Sequence, residues 1–100
     1  MEFSWRPDKA KSNVKKHRVS FTEATTVFAD PYAENVSDRH HHERSVITGY
    51  SSEEHLLIVV HIEIIEEDWV RIISARKANP KERKRHAKWL ASLGVGEQDV

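Results

Sequence analysis

From Val70 to Glu82 the chain reads Val-Arg-Ile-Ile-Ser-Ala-Arg-Lys-Ala-Asn-Pro-Lys-Glu, a strand that runs directly into a capped helix. Ile72, Ile73 and Ala75 supply the apolar part of a sheet strand, while Arg71 and Arg76 are charges that a sheet interior would not hold without partners. Asn79, Pro80 and Glu82 then fall at the N-cap, first and third positions of a helix, the spacing of a capping box with proline pre-set for the first turn. A chain with this junction must place a helix start at the end of a strand that carries arginines. A guanidinium group beside a helix start is well suited to holding phosphate.

One hundred residues without an internal repeat fit one domain with one modest core. That domain is expected over residues 1–93, with a frayed tail over 94–100. The longest apolar run, Leu56 to Val60, is far short of a membrane span, and no signal-peptide core opens the chain, so a cytoplasmic protein without membrane contact is expected. The absence of cysteine removes disulfides, thiolate metal sites and thiol nucleophiles together. Reactivity must therefore rest on His, Lys, Arg, Asp or Glu. The formal net charge is zero, yet residues 1–19 carry +4, residues 20–70 carry −9 and residues 71–88 carry +7. A basic surface built from both ends would attract a polyanion despite the neutral total, although pairing of basic with acidic segments would account for the same pattern.

Phe3 to Trp5 reads as a short strand, followed by a helix from about Asp8 to Arg18 whose apolar content is thin. Ser20 and Glu23 suggest a second capping box, and Phe21, Ala24, Val27 and Phe28 continue at helical spacing toward Asp30-Pro31. Beyond Tyr32 the period changes to two, with strands expected at about Ala33–Val36, Ser45–Tyr50, Leu56–Ile65 and Trp69–Ala75. In the third of these, Leu56, Ile58, Val60, Ile62 and Ile64 make one wholly apolar face, and the other turns polar toward its end. The turns at Ser51–Glu54 and Glu66-Glu67-Asp68 suit hairpins. The expected fold is α+β: two N-terminal helices, a twisted antiparallel sheet of four to five strands and a C-terminal helix.

Several of these residues form a specific combination: Phe3-Ser-Trp5, Pro7, Lys9, Asn13, Lys16-His17, Val19-Ser-Phe21 and Glu23-Ala24, then Glu43-Arg44, Ile47 and Gly49, then Arg71-Ile-Ile-Ser-Ala-Arg76-Lys-Ala78 and Glu82-Arg83. Together they resemble the BrnT family. The resemblance spans about residues 3 to 86 and implies a RelE-like fold and a small bacterial ribonuclease. It also implies a BrnA-like antitoxin that neutralises the toxin in a hetero-oligomer and supplies the DNA binding, so that contact with DNA is indirect. The chain departs from the family pattern with Arg6 between Trp5 and Pro7, with Arg18 where glycine usually follows the histidine, and with His86 where tyrosine is common.

Cleaving RNA without a metal requires taking a proton from a 2′-hydroxyl, stabilising extra negative charge on phosphorus and protonating the leaving 5′-oxygen. Arg71 and Arg76 are the first candidates for the phosphate, Arg44 from the neighbouring strand is a third donor, and Arg83 borders them. The alternative is pairing of these arginines with Glu43, Glu63 and Glu66 across strands. Lys9, Lys16, Lys77 and Arg83 are candidates for holding the RNA backbone. His17, His86 and Lys16 can move protons; Glu82 could act as a base, although the capping box explains it fully. His61 reads as a half-buried structural residue. His40-His41-His42 lacks the separated spacing of a metal site, and no metal or cofactor is expected. Two other classes compete: a non-catalytic nucleic-acid-binding module in which Trp5, Trp69 or Tyr50 stack on bases, and a degenerate toxin that acts by forming a complex with its antitoxin. Trp89, Leu90 and Leu93 could form a partner groove or simply pack on the core.

Overall fold

The structure, a computed structural model, describes residues 1–94; the expected tail beyond Gly94 lies outside them. One sheet holds β1 (Glu2–Ser4), β2 (Glu34–Ser37), β3 (Ser45–Tyr50), β4 (Leu56–Ile64) and β5 (Trp69–Lys77) in the order β1-β5-β4-β3-β2. Among the described residues three helices accompany it: α1 (Pro7–His17), α2 (Phe21–Thr26), prolonged by a 3-10 turn at Val27–Ala29, and α3 (Pro80–Ser92). Strands β2 to β5 form the expected antiparallel meander, but β1 lies parallel to β5, with Phe3 opposite Val70. The sheet is therefore mixed, not wholly antiparallel. Connectivity explains it: α1 and α2 carry the chain to the far edge, and three reversals bring β5 back beside β1 in the same direction.

Ile47, Val59 and Ala75 share one row of the sheet. With Leu57, Val70 and Ile72 they meet Val19, Phe21, Ala24 and Val27 in the main core. Helices α1 and α2 thus cover the Leu57–Val59–His61 side of β4, not the side that is apolar along its whole length. That second side is covered by the start of α3 at one end, where Leu56, Ile58, Ala78 and Val46 form a smaller cluster. At its other end Ile64 is 37% exposed. Between Val60 and His61 the β4–β5 register slips: Val60 pairs with Ser74 and His61 with Ile72, which leaves Ile73 bulged. A bulge re-aims side chains and interrupts the ladder.

Because β1 has only three residues, β5 loses that neighbour after Arg71. The side chain of Asn13, from α1, takes over the edge. Its Oδ1 accepts from the Ala75 N–H (3.1 Å) and its Nδ2 donates to the Ala75 carbonyl (2.8 Å), as a neighbouring strand would, and also to the Val19 carbonyl (2.8 Å). Asn13 is the buried residue of a helix that otherwise offers little apolar surface.

At the start of α2 the Ser20 hydroxyl accepts from the Glu23 N–H (3.0 Å), but Glu23 does not return to complete a capping box. Its carboxylate instead accepts from Ser51 Oγ (2.6 Å) and His55 Nδ1 (2.8 Å), pinning the β3–β4 turn to α2. Burial pushes this carboxyl up, but those two bonds and the charges of His55 and Lys77 outweigh it and hold Glu23 below the usual range. Gly49 allows the loop after α2 to approach β3, since a Cβ there would lie 2.8 Å from Ala33 Cβ and 3.0 Å from Asp30 Oδ2.

Helix α1 ends with Arg18 in the left-handed region at φ 60°, its N–H bonded to the Val14 carbonyl. An L side chain is disfavoured there, so Arg18→Gly should raise stability by roughly 0.5–1 kcal/mol. Urea unfolding would show a higher midpoint at unchanged slope.

Candidate active site

Where β5 bulges at the sheet edge, a cleft of about 330 Å³ opens between it and α1. Asp8, Lys9, Ser12, Asn13, Lys16 and His17 line one wall, Ile73 and Ser74 the other. Positions 9, 12, 13 and 16 follow helical spacing, so one side of α1 turns its cations and hydroxyl toward the strand. Three of the residues expected to contact RNA or move its protons, Lys9, Lys16 and His17, are brought together here. Asp8, Ser12 and Ser74 were not anticipated, although Ser12 is one helical turn from Lys9 and from Lys16, and Asp8 one turn from Ser12, so that periodicity could have found those two.

The arginines stand on the other side of the strand. Arg71 is opposite Ile62 on β4 and Ser4 on β1, exposed, and without an ion pair among the described residues. Arg44 precedes β3 by one residue; because Ser45 pairs with His61, its place in register is across from Ile62. Arg44 and Arg71 therefore flank Ile62 with β4 between them, rather than coming from adjacent strands. The alternative, pairing with Glu43, Glu63 or Glu66, does not occur among the described residues: Glu63 bonds to Asn35 (2.8 Å) and His61 (3.0 Å).

Arg76 has a different partner. Its two terminal nitrogens donate to the two Glu82 oxygens at 2.8 Å each, and Glu82 Oε1 also accepts from the Asn79 N–H (2.9 Å) within a complete capping box. The Arg76 bonds, chief among the causes, hold the Glu82 carboxyl down at about 2. A carboxylate held that low is a poor proton acceptor at neutral pH. Arg83 is exposed on α3, and Lys77 ends β5 opposite Leu57, close enough to Glu23 to lower its carboxyl, so neither lines the cleft.

His86 does not reach the cleft either. It is 2% exposed, its ring stands edge-on to Tyr50 (5.8 Å between centroids), and among the described residues neither ring nitrogen has a hydrogen-bond partner. Burial pushes its pKa down, helped by Arg85 and opposed by the carboxylates of Asp30 and Glu34. A neutral ring in this pocket contributes stability that is present above the ordinary value near 6.5 and is lost as pH falls through the lowered one. His86→Phe keeps the edge-on ring and removes two buried unsatisfied nitrogens; it should stabilise by about 1–2 kcal/mol and flatten the loss below pH 6.5 in urea unfolding.

The remaining candidates have structural places. His61 is fully buried, not half-buried, with Nε2 on Glu63 and its ring edge-on to Phe28 (4.8 Å). Trp5 packs edge-on against Phe21, whereas Trp69 and Tyr50 stay partly exposed. Trp89 donates from Nε1 to the Tyr32 carbonyl (2.9 Å), which fastens the end of α3 to the loop before β2. His40, His41 and His42 are exposed in the β2–β3 loop; among the described residues the converging set of possible ligands is Glu23, Glu53 and His55, outside the cleft.

Fold and site together define a small α+β protein with a cationic cleft on a bulged sheet edge. Over residues 5–82 the sequence matches the family described as the ribonuclease toxin, BrnT, of type II toxin-antitoxin systems, and the chain belongs to that family. Among solved structures it is similar to the ribonuclease toxin BrnT of Brucella abortus, with 18% identity, a TM-score of 0.65, and coverage of 79% of this chain and 97% of that one. At that identity the likeness is one of fold. A search of curated proteins found no match. No helix among the described residues is long and apolar enough to cross a membrane.

Proposed function

We propose that this toxin is a metal-independent, cytoplasmic endoribonuclease that inhibits translation by cutting RNA and is neutralised by a BrnA-like antitoxin, through which alone it meets DNA. The observation that carries the reading is the meeting of Lys9, Lys16 and His17 at the bulged edge of β5, the strand that also presents Arg71 unpaired. The cations of the cleft can stabilise charge on phosphorus, the task a metal ion performs in other nucleases. In this mechanism His17 takes the 2′-hydroxyl proton as the 2′-oxygen attacks the adjacent phosphorus. The bond to the 5′-oxygen breaks, leaving a 2′,3′-cyclic phosphate, and Lys16 returns a proton to the departing 5′-oxygen. Lys9 holds oxygens of the reacting phosphate, and Arg71, on the other side of the strand, holds a neighbouring phosphate of the same RNA, with Arg44 beyond it across β4; Arg76 joins only when phosphate displaces Glu82. Lys77 and Arg83 have peripheral places in this scheme.

The second reading, a degenerate toxin acting through complex formation, is favoured by the two features that take candidates out of reach of a substrate: Arg76 is paired with Glu82 and His86 is buried. Purified RNA, incubated in EDTA with the wild type and with folded Arg71→Ala and His17→Ala, separates the two. Cleavage should survive chelation and fall 10²–10³-fold in each variant. RNA left intact by folded wild type, with and without ribosomes, together with growth unaffected by its expression alone, would favour the degenerate toxin.

A further inference from the structure

Glu23 stands at the third position of α2, where a glutamate ordinarily turns back to the start of its helix, yet its carboxylate faces the β3–β4 turn. That turn is tightly wound. Ser51 Oγ accepts from the N–H groups of Glu53 and His55 (3.2 Å each), the Ser51 N–H donates to the His55 carbonyl (2.9 Å), and Glu54 takes the left-handed region at φ 64°. The winding aims two side chains at α2. One carboxylate oxygen each from Glu23 and Glu53 and one ring nitrogen of His55 lie within 4.8 Å of one another. Two acids are thus brought together. Hydrogen bonding accounts for only one of them: Ser51 Oγ and His55 Nδ1 serve Glu23 at 2.6 and 2.8 Å, whereas the Glu53 carboxylate has neither a hydrogen bond nor an ion pair among the described residues. Lys77 lowers the Glu23 carboxyl by its charge but forms no ion pair with either acid among those residues.

We propose that Glu23, Glu53 and His55 bind a zinc ion that clamps the β3–β4 turn to α2. An imidazole nitrogen among three donors argues for zinc over calcium or magnesium, which take oxygen ligands. Two carboxylates and a neutral imidazole balance a divalent charge. Around tetrahedral zinc the donor atoms stand roughly 3.3 Å apart, so His55 Nδ1 and Glu23 Oε2 need to part by only about 0.5 Å while the exposed Glu53 swings in. A neutral His55 ring then carries its proton on Nε2, which leaves the Nδ1 lone pair for the ion. Ser51 Oγ, bonded to Glu23, holds that carboxylate in place, as the supporting partners of metal-bound carboxylates do, and a water molecule completes four ligands. The sequence hides the set because Glu23 and His55 are 32 positions apart. None of the three residues lines the α1–β5 cleft, so the ion holds the fold together and takes no part in the proposed cleavage.

The test uses the full chain, stripped with EDTA and dialysed, with zinc chloride as the probe. Isothermal titration should show one tight zinc per chain with a dissociation constant in the micromolar range, and saturating zinc should raise the thermal midpoint by about 5 °C or more. Cobalt(II) in its place should give the strong visible absorption of a four-coordinate site. Glu53→Gln is the decisive variant, because the Glu53 carboxylate makes no bond among the described residues and its loss leaves the fold intact. It should keep the wild-type midpoint in EDTA and bind zinc at least about tenfold more weakly. His55→Ala should weaken binding as well, from a lower midpoint in EDTA because its bond to Glu23 is gone. The exposed His40, His41 and His42 supply the competing explanation. In the triple variant His40→Ser/His41→Ser/His42→Ser the tight site, its thermal shift and its cobalt spectrum should all remain. Zinc binding that survives Glu53→Gln and disappears with the three histidines would mark an adventitious ion only and overturns the proposal. Zinc that binds without raising the midpoint overturns it too, as does absence of binding. No readout involves RNA, so these outcomes stand apart from the ribonuclease reading.

Discussion

Asn13→Ala should lower the unfolding free energy by about 3–4 kcal/mol, the largest loss expected from a single polar substitution in this fold. Asn13 is 6% exposed, and its amide satisfies three backbone groups: the N–H and carbonyl of Ala75 and the carbonyl of Val19. Alanine removes all three partners at once, and each buried group left unmade costs about 1–3 kcal/mol. Water entering from the adjoining cleft offsets part of that, which sets the value below the simple sum. Asn13→Asp is the discriminating companion. Its shape is conserved and it can still accept from the Ala75 N–H, but it faces two carbonyls without a proton to donate. At neutral pH it should be at least as unstable as the alanine variant, and it should recover partly in acid, where a protonated carboxyl can donate once more. Urea unfolding measures both; losses under 1 kcal/mol would mean that the edge of β5 is closed by something other than this amide.

The same residue shows where sequence patterns stop being informative. The junction from Val70 to Glu82 was legible because its determinants are local: β-branched residues in a row, then Asn79, Pro80 and Glu82 at capping distances, and β5 and α3 follow that plan. The ends of β3 were legible for the same reason. The parallel pairing of β1 was not, since a three-residue strand carries no sign of its partner and the direction follows from the route of two helices across the sheet. Nor was the packing face of β4, because Leu56 to Val60 is apolar on both sides and alternation decides nothing there. At the site, the cationic side of α1 is present in the spacing of Lys9, Ser12 and Lys16, but the bulge at Ile73 that gives the cleft its second wall has no sequence mark. His86 looks like an available acid in a basic helix; only the fold shows it turned inward against Tyr50. Glu23 likewise carries the signature of a capping box, yet a turn nearly thirty residues away claims its carboxylate.

The Arg76–Glu82 pair allows stability and catalysis to be pulled apart. Removing either partner should destabilise the protein by about 2 kcal/mol, reduced from what the Glu82 shift implies because the Arg76 side chain is 42% exposed. The sign follows from a carboxyl held at about 2 instead of 4.5: its contribution is fully present above pH 4.5 and is lost as pH falls toward 2. That acid step should vanish in Glu82→Gln, and the double variant should be little worse than either single one, since the interaction is shared. Cleavage should divide the two partners. If the guanidinium reaches a substrate phosphate, Arg76→Ala should lose about 10²-fold in kcat/KM per folded molecule. Glu82→Gln should hold or gain, because the amide still caps Asn79 but no longer competes as an anion for Arg76. Equal collapse of cleavage in both variants would mean that the ion pair itself, or the Glu82 carboxylate, is the working element. Unchanged cleavage in both would confine Arg76 to holding the start of α3 against the end of β5.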